Sequence, residues 1–291
     1  MLDHHLSLGF HAAWNAKAAS GQPRVLVYDY FGDGFVDAEV VPGYIVDPDH
    51  FAITTHEDHG YHVLGILGLS HENLPLQPVG GALPVPFTLD VVDIQGEPED
   101  TDTTDDPLIS GWDMMALERA SALAGFDTVI MNLSLYTGCQ QSGDKTLKRV
   151  CEVDDIKKDS IAWIKSVREK DLEERVLIVA AAGNVLDDDP FTVVSNTSSK
   201  FAYASFASDF VDDSGAVVPP LTNTLVVENA SQLPNEQAGC VSPESLQFDG
   251  AIAGVGDVVY SIIDPATNYD NLSGTSMATP QVAGLAAYIS G

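Results

Sequence analysis

Basic residues are scarce in this sequence. Its 291 residues include 13 Lys and Arg against 43 Asp and Glu, a formal net charge of −30. A surface that negative repels phosphate backbones and anionic headgroups, so neither nucleic acid nor a membrane is expected as a partner. The charge fits a solvated acidic surface, adaptation to high salt, or structural calcium in acidic loops. Long apolar runs are missing too; no stretch reaches the roughly 20 residues needed to cross a bilayer. The opening residues Met1 to His5 hold no basic n-region and no apolar h-region follows, so no signal peptide is expected here. Cysteine is nearly absent. Cys139, Cys151 and Cys240 allow at most one intramolecular disulfide. Cys139 and Cys151 flank a polar loop and are the candidate pair, with three free thiols as the equal alternative. No Cys-x-x-Cys and no helical His-x-x-x-His or His-Glu-x-x-His spacing occurs, so neither a zinc site nor a histidine-ligated metal is expected.

What is present suits one large α/β domain spanning residues 1–291. Hydrophobic residues make up 45% of the chain, enough for a substantial core. Apolar strands are expected at 24–28, ending at Asp29, and at 87–94, 128–135, 176–182, 221–227 and 251–263. A weaker strand at 40–46 is interrupted by Pro42 and Gly43. Helices are expected at 10–19, 63–69, 109–124 and 155–170. Residues 97–106 form an acidic, Thr-rich loop, and 138–151 a polar excursion. Residues 186–220 read as loop, with 201–210 able to order. Continuous apolar strands alternating with helices predict a three-layer sandwich, a mainly parallel sheet with helices on both faces.

The chain is organised around Asn271-Leu-Ser-Gly-Thr-Ser-Met-Ala-Thr-Pro-Gln-Val-Ala-Gly284. Pro280 belongs in the first turn of a helix, which places the helix start near Ser276. A serine there sits at the positive end of the helix, where free N–H groups stabilise an anion. Gly274 lets another backbone come close. A serine hydroxyl needs a base, and the base an orienting acid. Ligands of parallel sheets bind at the carboxyl ends of strands. Asp29, the first polar residue after its strand, is the candidate acid, with Asp33 and Asp37 as competitors. His59, opening a helix in Asp58-His-Gly-Tyr-His-Val-Leu-Gly65, is the candidate base, with His56 and His62 as alternatives. A helix N-terminus is expected to lower the imidazole pKa and keep it neutral. Asn184, closing Ala180-Ala-Ala-Gly-Asn184, can donate its amide to an oxyanion beside the Ser276 N–H. Each residue also has an ordinary structural reading: helix cap for Ser276, turn residue for Asp29 and Asn184.

Together these blocks resemble the subtilisin-like serine proteases. Gly274-Thr-Ser-Met-Ala-Thr-Pro280 matches that family's nucleophile motif almost letter for letter. His59-Gly-Tyr-His62 and Asp29 follow its order of acid, base, serine, which differs from chymotrypsin-like and α/β-hydrolase enzymes. The α/β-hydrolase elbow also needs a second Gly that Gly274-Thr-Ser-Met-Ala278 lacks. The resemblance implies a serine endopeptidase acting on polypeptides, with Asp29, His59, Ser276 and Asn184 at its centre and no cofactor needed for the chemistry. A substrate strand would lie along Leu133, Ser134, Leu135 and Tyr136 and against Ala181, Ala182 and Gly183. A propeptide or inhibitor is a further partner the resemblance implies, and it favours an extracytoplasmic location. A subtilisin-like fold kept as a binding module without turnover is the alternative. Departures from the family pattern are Tyr30-Phe31-Gly32 after the aspartate, Tyr61 for a usual Thr, and Leu64 for a usual Ala. Tyr136-Thr137 replaces a usual Gly-Gly and implies a reshaped primary specificity pocket. The chain also stops within the helix after Ser276, earlier than in most relatives. Four Asn-x-Ser/Thr sequons occur, at Asn132, Asn196, Asn229 and Asn271, with Asn132 expected in the core.

Overall fold

Six parallel strands lie side by side, and the residues that alternate along them face two different sets of helices. The computed structural model describes residues 24–31, 41–44, 58–68, 87–93, 111–125, 128–135, 153–184, 202–231, 241–242, 245–263 and 269–290. In chain order the elements are β1 (Arg24–Asp29), β2 (Val41–Tyr44), α1 (Asp58–Gly68), β3 (Phe87–Asp93), α2 (Gly111–Leu123), β4 (Val129–Leu133), α3 (Val153–Glu169) and β5 (Val176–Ala181). There follow α4 (Ala202–Ser205), β6 (Phe210–Val211), β7 (Val217–Val218), β8 (Thr224–Ala230), β9 (Ile252–Val255), β10 (Val259–Ile262), β11 (Tyr269–Leu272) and α5 (Thr275–Ser290). Among the described residues the main sheet has the order β2-β3-β1-β4-β5-β8-β9. Only β2 runs antiparallel, pairing with β3 at the edge.

Period-two alternation explains the layers. Val25 and Val27 of β1 pack with Val63, Leu64 and Leu67 of α1 and with Val282 and Ala283 of α5. Leu26 and Tyr28 point the other way, onto Leu117 and Ala120 of α2 and Trp163 and Ile164 of α3. α5 therefore lies in the core beside α1, and its residues from Thr275 through Gly284 are all buried. From β1 the chain first goes to β3 on one side and later to β4 on the other. Strand order thus reverses between β1 and β4, the switch point where parallel sheets open a crevice at their carboxyl ends.

Several expectations need adjustment. Residues 251–263 are two strands, because Gly256 and a turn at Asp257 and Val258 separate β9 from β10, which leaves the main sheet and pairs with β11. Within 201–210 only the short α4 and the start of the β6–β7 hairpin are ordered elements. Pro280 is the sixth residue of α5 rather than part of its first turn. Its missing N–H leaves the Ser276 carbonyl without the usual helical donor. Asn132 and Asn229 are buried sequons, whereas Asn271 is exposed. The helix expected at 10–19, the loops at 97–106 and 138–151, all three cysteines, Asn196, Asp33, Asp37, His56, Tyr136 and Thr137 lie outside the described residues.

Candidate active site

Asp29 is the last residue of β1 and has no exposed surface. Its Oδ1 accepts the amide of Tyr30 at 2.8 Å. The chain then returns through α1, whose N-terminus docks on the same strand end. Gly60 N donates to the Tyr30 carbonyl at 3.0 Å. A Cβ on Gly60 would stand 2.4 Å from that oxygen, so only glycine permits the contact. That docking brings His59 Nδ1 to 2.7 Å from Asp29 Oδ1. A carboxylate only accepts, so Nδ1 carries the proton and Nε2 keeps its lone pair. The ring faces partly outward, with its side chain 37% exposed.

The expected lowering of the His59 pKa by the helix end does not hold. Desolvation is the largest influence and pulls it down, but the Asp29 charge and hydrogen bond together outweigh it, and the net shift is upward from 6.5. His62, one turn on, behaves in the opposite way. It is fully buried, and burial holds its pKa down to about 4. Its Nε2 meets the Asp270 carbonyl at 3.2 Å, and its own carbonyl accepts the Ser261 hydroxyl at 3.0 Å. His62 is therefore a neutral strut between α1 and the β10–β11 pair rather than a base. A lowered histidine pKa makes folding more favourable above its ordinary value and less so as pH falls toward the lowered one. At about 1.4 kcal/mol per pH unit, the loss between pH 6.5 and about 4 is on the order of 3 kcal/mol. Thermal melts of the wild type should fall across that window, and those of His62→Gln should lose this component. Equal pH dependence in the two would show that His62 does not titrate there.

On the opposite wall, β5 ends at Ala181, and Gly183 turns the chain at φ 98° to present Asn184. Asn184 Oδ1 accepts the Thr275 amide at 2.9 Å and the Thr275 hydroxyl at 3.1 Å. The backbone amide must donate, so the facing atom is oxygen and Nδ2 is turned to the other side. There it lies against Gly274, where a Cβ would sit 2.8 Å from Nδ2. Gly274 has φ 143°, a conformation that side-chain-bearing residues rarely adopt. The Gly183 amide donates to Thr275 Oγ1 at 3.1 Å, closing the link. Asn184 thus caps α5 from outside its own segment.

Ser276 is the second residue of α5 and 8% exposed. At that position its N–H has no intrahelical acceptor. α1 and α5 share one core on the same face of the sheet, and both begin at its carboxyl edge. Among the described residues the Ser276 hydroxyl makes no hydrogen bond to His59; such bonds are often long in free enzymes and tighten on substrate.

β4 and β5 run side by side to the carboxyl edge of the sheet. Leu133 pairs with Tyr28 on one side and Ala180 on the other, and its side chain is in the α2–α3 core. With both edges used it cannot pair with a further strand, which corrects the expectation for this residue. Ser134 and Leu135 lie beyond the ladder, opposite the buried Ala181 and Ala182. Among the described residues no group of three or more His, Cys, Asp or Glu side chains is placed to hold a metal ion. Residues not singled out by sequence include Thr275, the partner that orients Asn184. It stands inside the nucleophile motif, so a signal was there.

The subtilase family model matches residues 37–291. The match begins after Asp29, whose place here comes from the contact with His59. No curated protein matches the sequence. Among solved structures, MycP1 from Mycobacterium smegmatis is 20% identical with a TM-score of 0.56, covering 98% of this chain and 72% of that one. MycP3 protease from the type VII (ESX-3) secretion system is 20% identical with a TM-score of 0.52, covering 98% and 76%. MycP1 with its N-terminal propeptide removed is 20% identical with a TM-score of 0.51, covering 98% and 82%. At that identity the likeness speaks for the fold, and the family follows from the sequence match over most of the chain: this chain belongs to the subtilase family of serine proteases.

Proposed function

We propose that this chain is a serine endopeptidase that cleaves peptide bonds through an acyl-enzyme. The observation that carries the reading is the 2.7 Å contact between His59 Nδ1 and the buried Asp29, made at the carboxyl edge where α5 begins. In the first half-reaction Ser276 Oγ attacks the scissile carbonyl carbon. His59 Nε2 takes the hydroxyl proton as the C–O bond forms, and the raised pKa suits an imidazole that must briefly hold it. Asp29 stabilises the resulting cation and keeps the ring oriented. The carbonyl oxygen, now negative, is met by the Ser276 N–H and Asn184 Nδ2. Collapse expels the amine, which leaves with the proton from His59. Water repeats the sequence on the acyl-enzyme and frees the acid.

The polypeptide lies along Ser134 and Leu135 on one side and Ala181, Ala182 and Gly183 on the other. A propeptide or inhibitor fits the same crevice; one neighbouring structure is of a protein with its N-terminal propeptide removed. The second reading is a subtilisin-like fold kept as a binding module without turnover.

A fluorophosphonate probe separates the two. Covalent labelling mapped to Ser276, absent in Ser276→Ala and His59→Ala, is the expected result, with casein degraded by the wild type alone. Folded wild-type protein that takes up no probe would favour the binding module.

A further inference from the structure

The turn that delivers Ser276 is braced from β8 by a buried pair to which the chemistry above assigns no role. Asn229 lies in β8 and is buried, as is Asp257 in the turn after β9. Asn229 Oδ1 accepts the Gly256 amide at 2.7 Å, and its Nδ2 donates to Asp257 Oδ1 at 2.5 Å. The asparagine is anchored in turn, its amide on Ser245 Oγ at 3.0 Å and its carbonyl accepting from Ser242 N at 2.7 Å.

The turn held this way touches the nucleophile segment at two points. The Gly256 carbonyl accepts the Gly274 amide at 2.8 Å, and the Val258 amide donates to Ser273 Oγ at 2.8 Å. A Cβ on Gly256 would fall 2.3 Å from the Gly274 carbonyl, so the two backbones are in direct contact. Val258 has φ 53°, in the left-handed region, and is 54% exposed. A β-branched residue in that region is a true outlier that persists only where its surroundings over-determine it, and such outliers cluster at functional sites. Burial of Val258 cannot be what holds it. The holding contacts are the Asn229–Asp257 pair behind it and Ser273 in front.

We propose that Asn229 and Asp257 are positioning residues that fix Gly274 and thereby set where the Ser276 hydroxyl and N–H lie. The proposal rests on Ser276 as the nucleophile, and it deepens that reading by naming what aims it. A displacement near 1 Å at a reacting group can lower turnover about a hundredfold. The two side chains are complementary in a way that can be exchanged. In the double variant Asn229→Asp, Asp257→Asn, one oxygen of residue 229 accepts the Gly256 amide and the other accepts from the new amide at 257. Asn229→Asp alone sets two carboxylates against each other.

The test measures kcat and KM on a peptide substrate together with hydrogen exchange of residues 271–277 in Asn229→Asp, Asp257→Asn and the double variant. Expected are a tenfold or greater fall in kcat for Asn229→Asp (the order that small misplacements reach), KM within about twofold, faster exchange of 271–277, and recovery of both in the double variant. Asp257→Asn keeps an acceptor for Asn229 and should change little, which leaves a folded variant for comparison. A lower melting temperature with kcat and exchange unchanged would overturn the proposal, as would a double variant no better than Asn229→Asp. Should the wild type itself turn over nothing, the protease reading fails, and exchange at 271–277 alone decides the brace: faster in Asn229→Asp and restored in the double supports it, and unchanged rejects it.

Discussion

Ser276→Ala and His59→Ala are each expected to lower kcat on a peptide substrate about a millionfold, with KM little changed; the size is that known for the corresponding groups of subtilisin, a member of the same family. The double variant should be no worse than either single one. Without the base, the hydroxyl is not activated; without the hydroxyl, the base has nothing to activate. What remains is binding and the proposed oxyanion donors, Asn184 Nδ2 and the N–H of residue 276, which alanine keeps. Steady-state kinetics with active-site titration and a far-UV spectrum on each variant check this. Losses that add would mean the two residues act in separate steps. Retained activity in Ser276→Ala would move the nucleophile elsewhere.

Asp29→Asn is expected to lower kcat about ten-thousandfold, the order seen for the equivalent change in enzymes of this mechanism, subtilisin included. Its pH profile carries more information than its size. Burial alone would depress the His59 pKa, and the Asp29 charge and hydrogen bond reverse that. Activity needs neutral His59, so kcat/KM in the wild type should rise with pH through a value above 6.5. In Asp29→Asn the raising charge is gone and desolvation remains, so the acidic limb should move to lower pH. Stability moves with the opposite sense. The protonated His59–Asp29 pair contributes fully below the ordinary histidine value and is lost as pH rises through the raised one. The wild type should therefore lose this increment on the alkaline side, and Asp29→Asn should lack it. A limb that stays in place would show that Asp29 does not govern His59.

The departures from the family pattern show what one dimension leaves out. Phe31, Tyr61 and Leu64 look like three unrelated substitutions in the sequence. In the fold Phe31 and Tyr61 meet edge to face, ring centroids 5.5 Å apart, and Leu64 is buried in the same core. Larger side chains on the strand end and on the helix fill one space together, so neither need disturb the Asp29–His59 contact. Leu133 shows the reverse case. Its block of letters resembles a substrate-lining strand, yet the residue is paired on both edges, and the ladder ends with it. Strand order decided that, and strand order is not written in any local run.

Local chemistry was enough to recognise the apolar strands, the covered parallel sheet, the serine two residues after Gly274 at a helix start and the asparagine after Ala-Ala-Gly. Each depends on neighbours a few residues away, through side-chain period, backbone freedom or a missing amide hydrogen. The tertiary structure alone decided which way the His59 pKa moves, that His62 is a neutral strut, and that Asn229 and Asp257 meet behind the Ser276 turn. Those outcomes come from groups 30 or so to 208 residues apart brought within hydrogen-bond distance in a water-poor interior. Electrostatic and hydrogen-bond energies there depend on distance and burial, and neither quantity exists until the chain has folded.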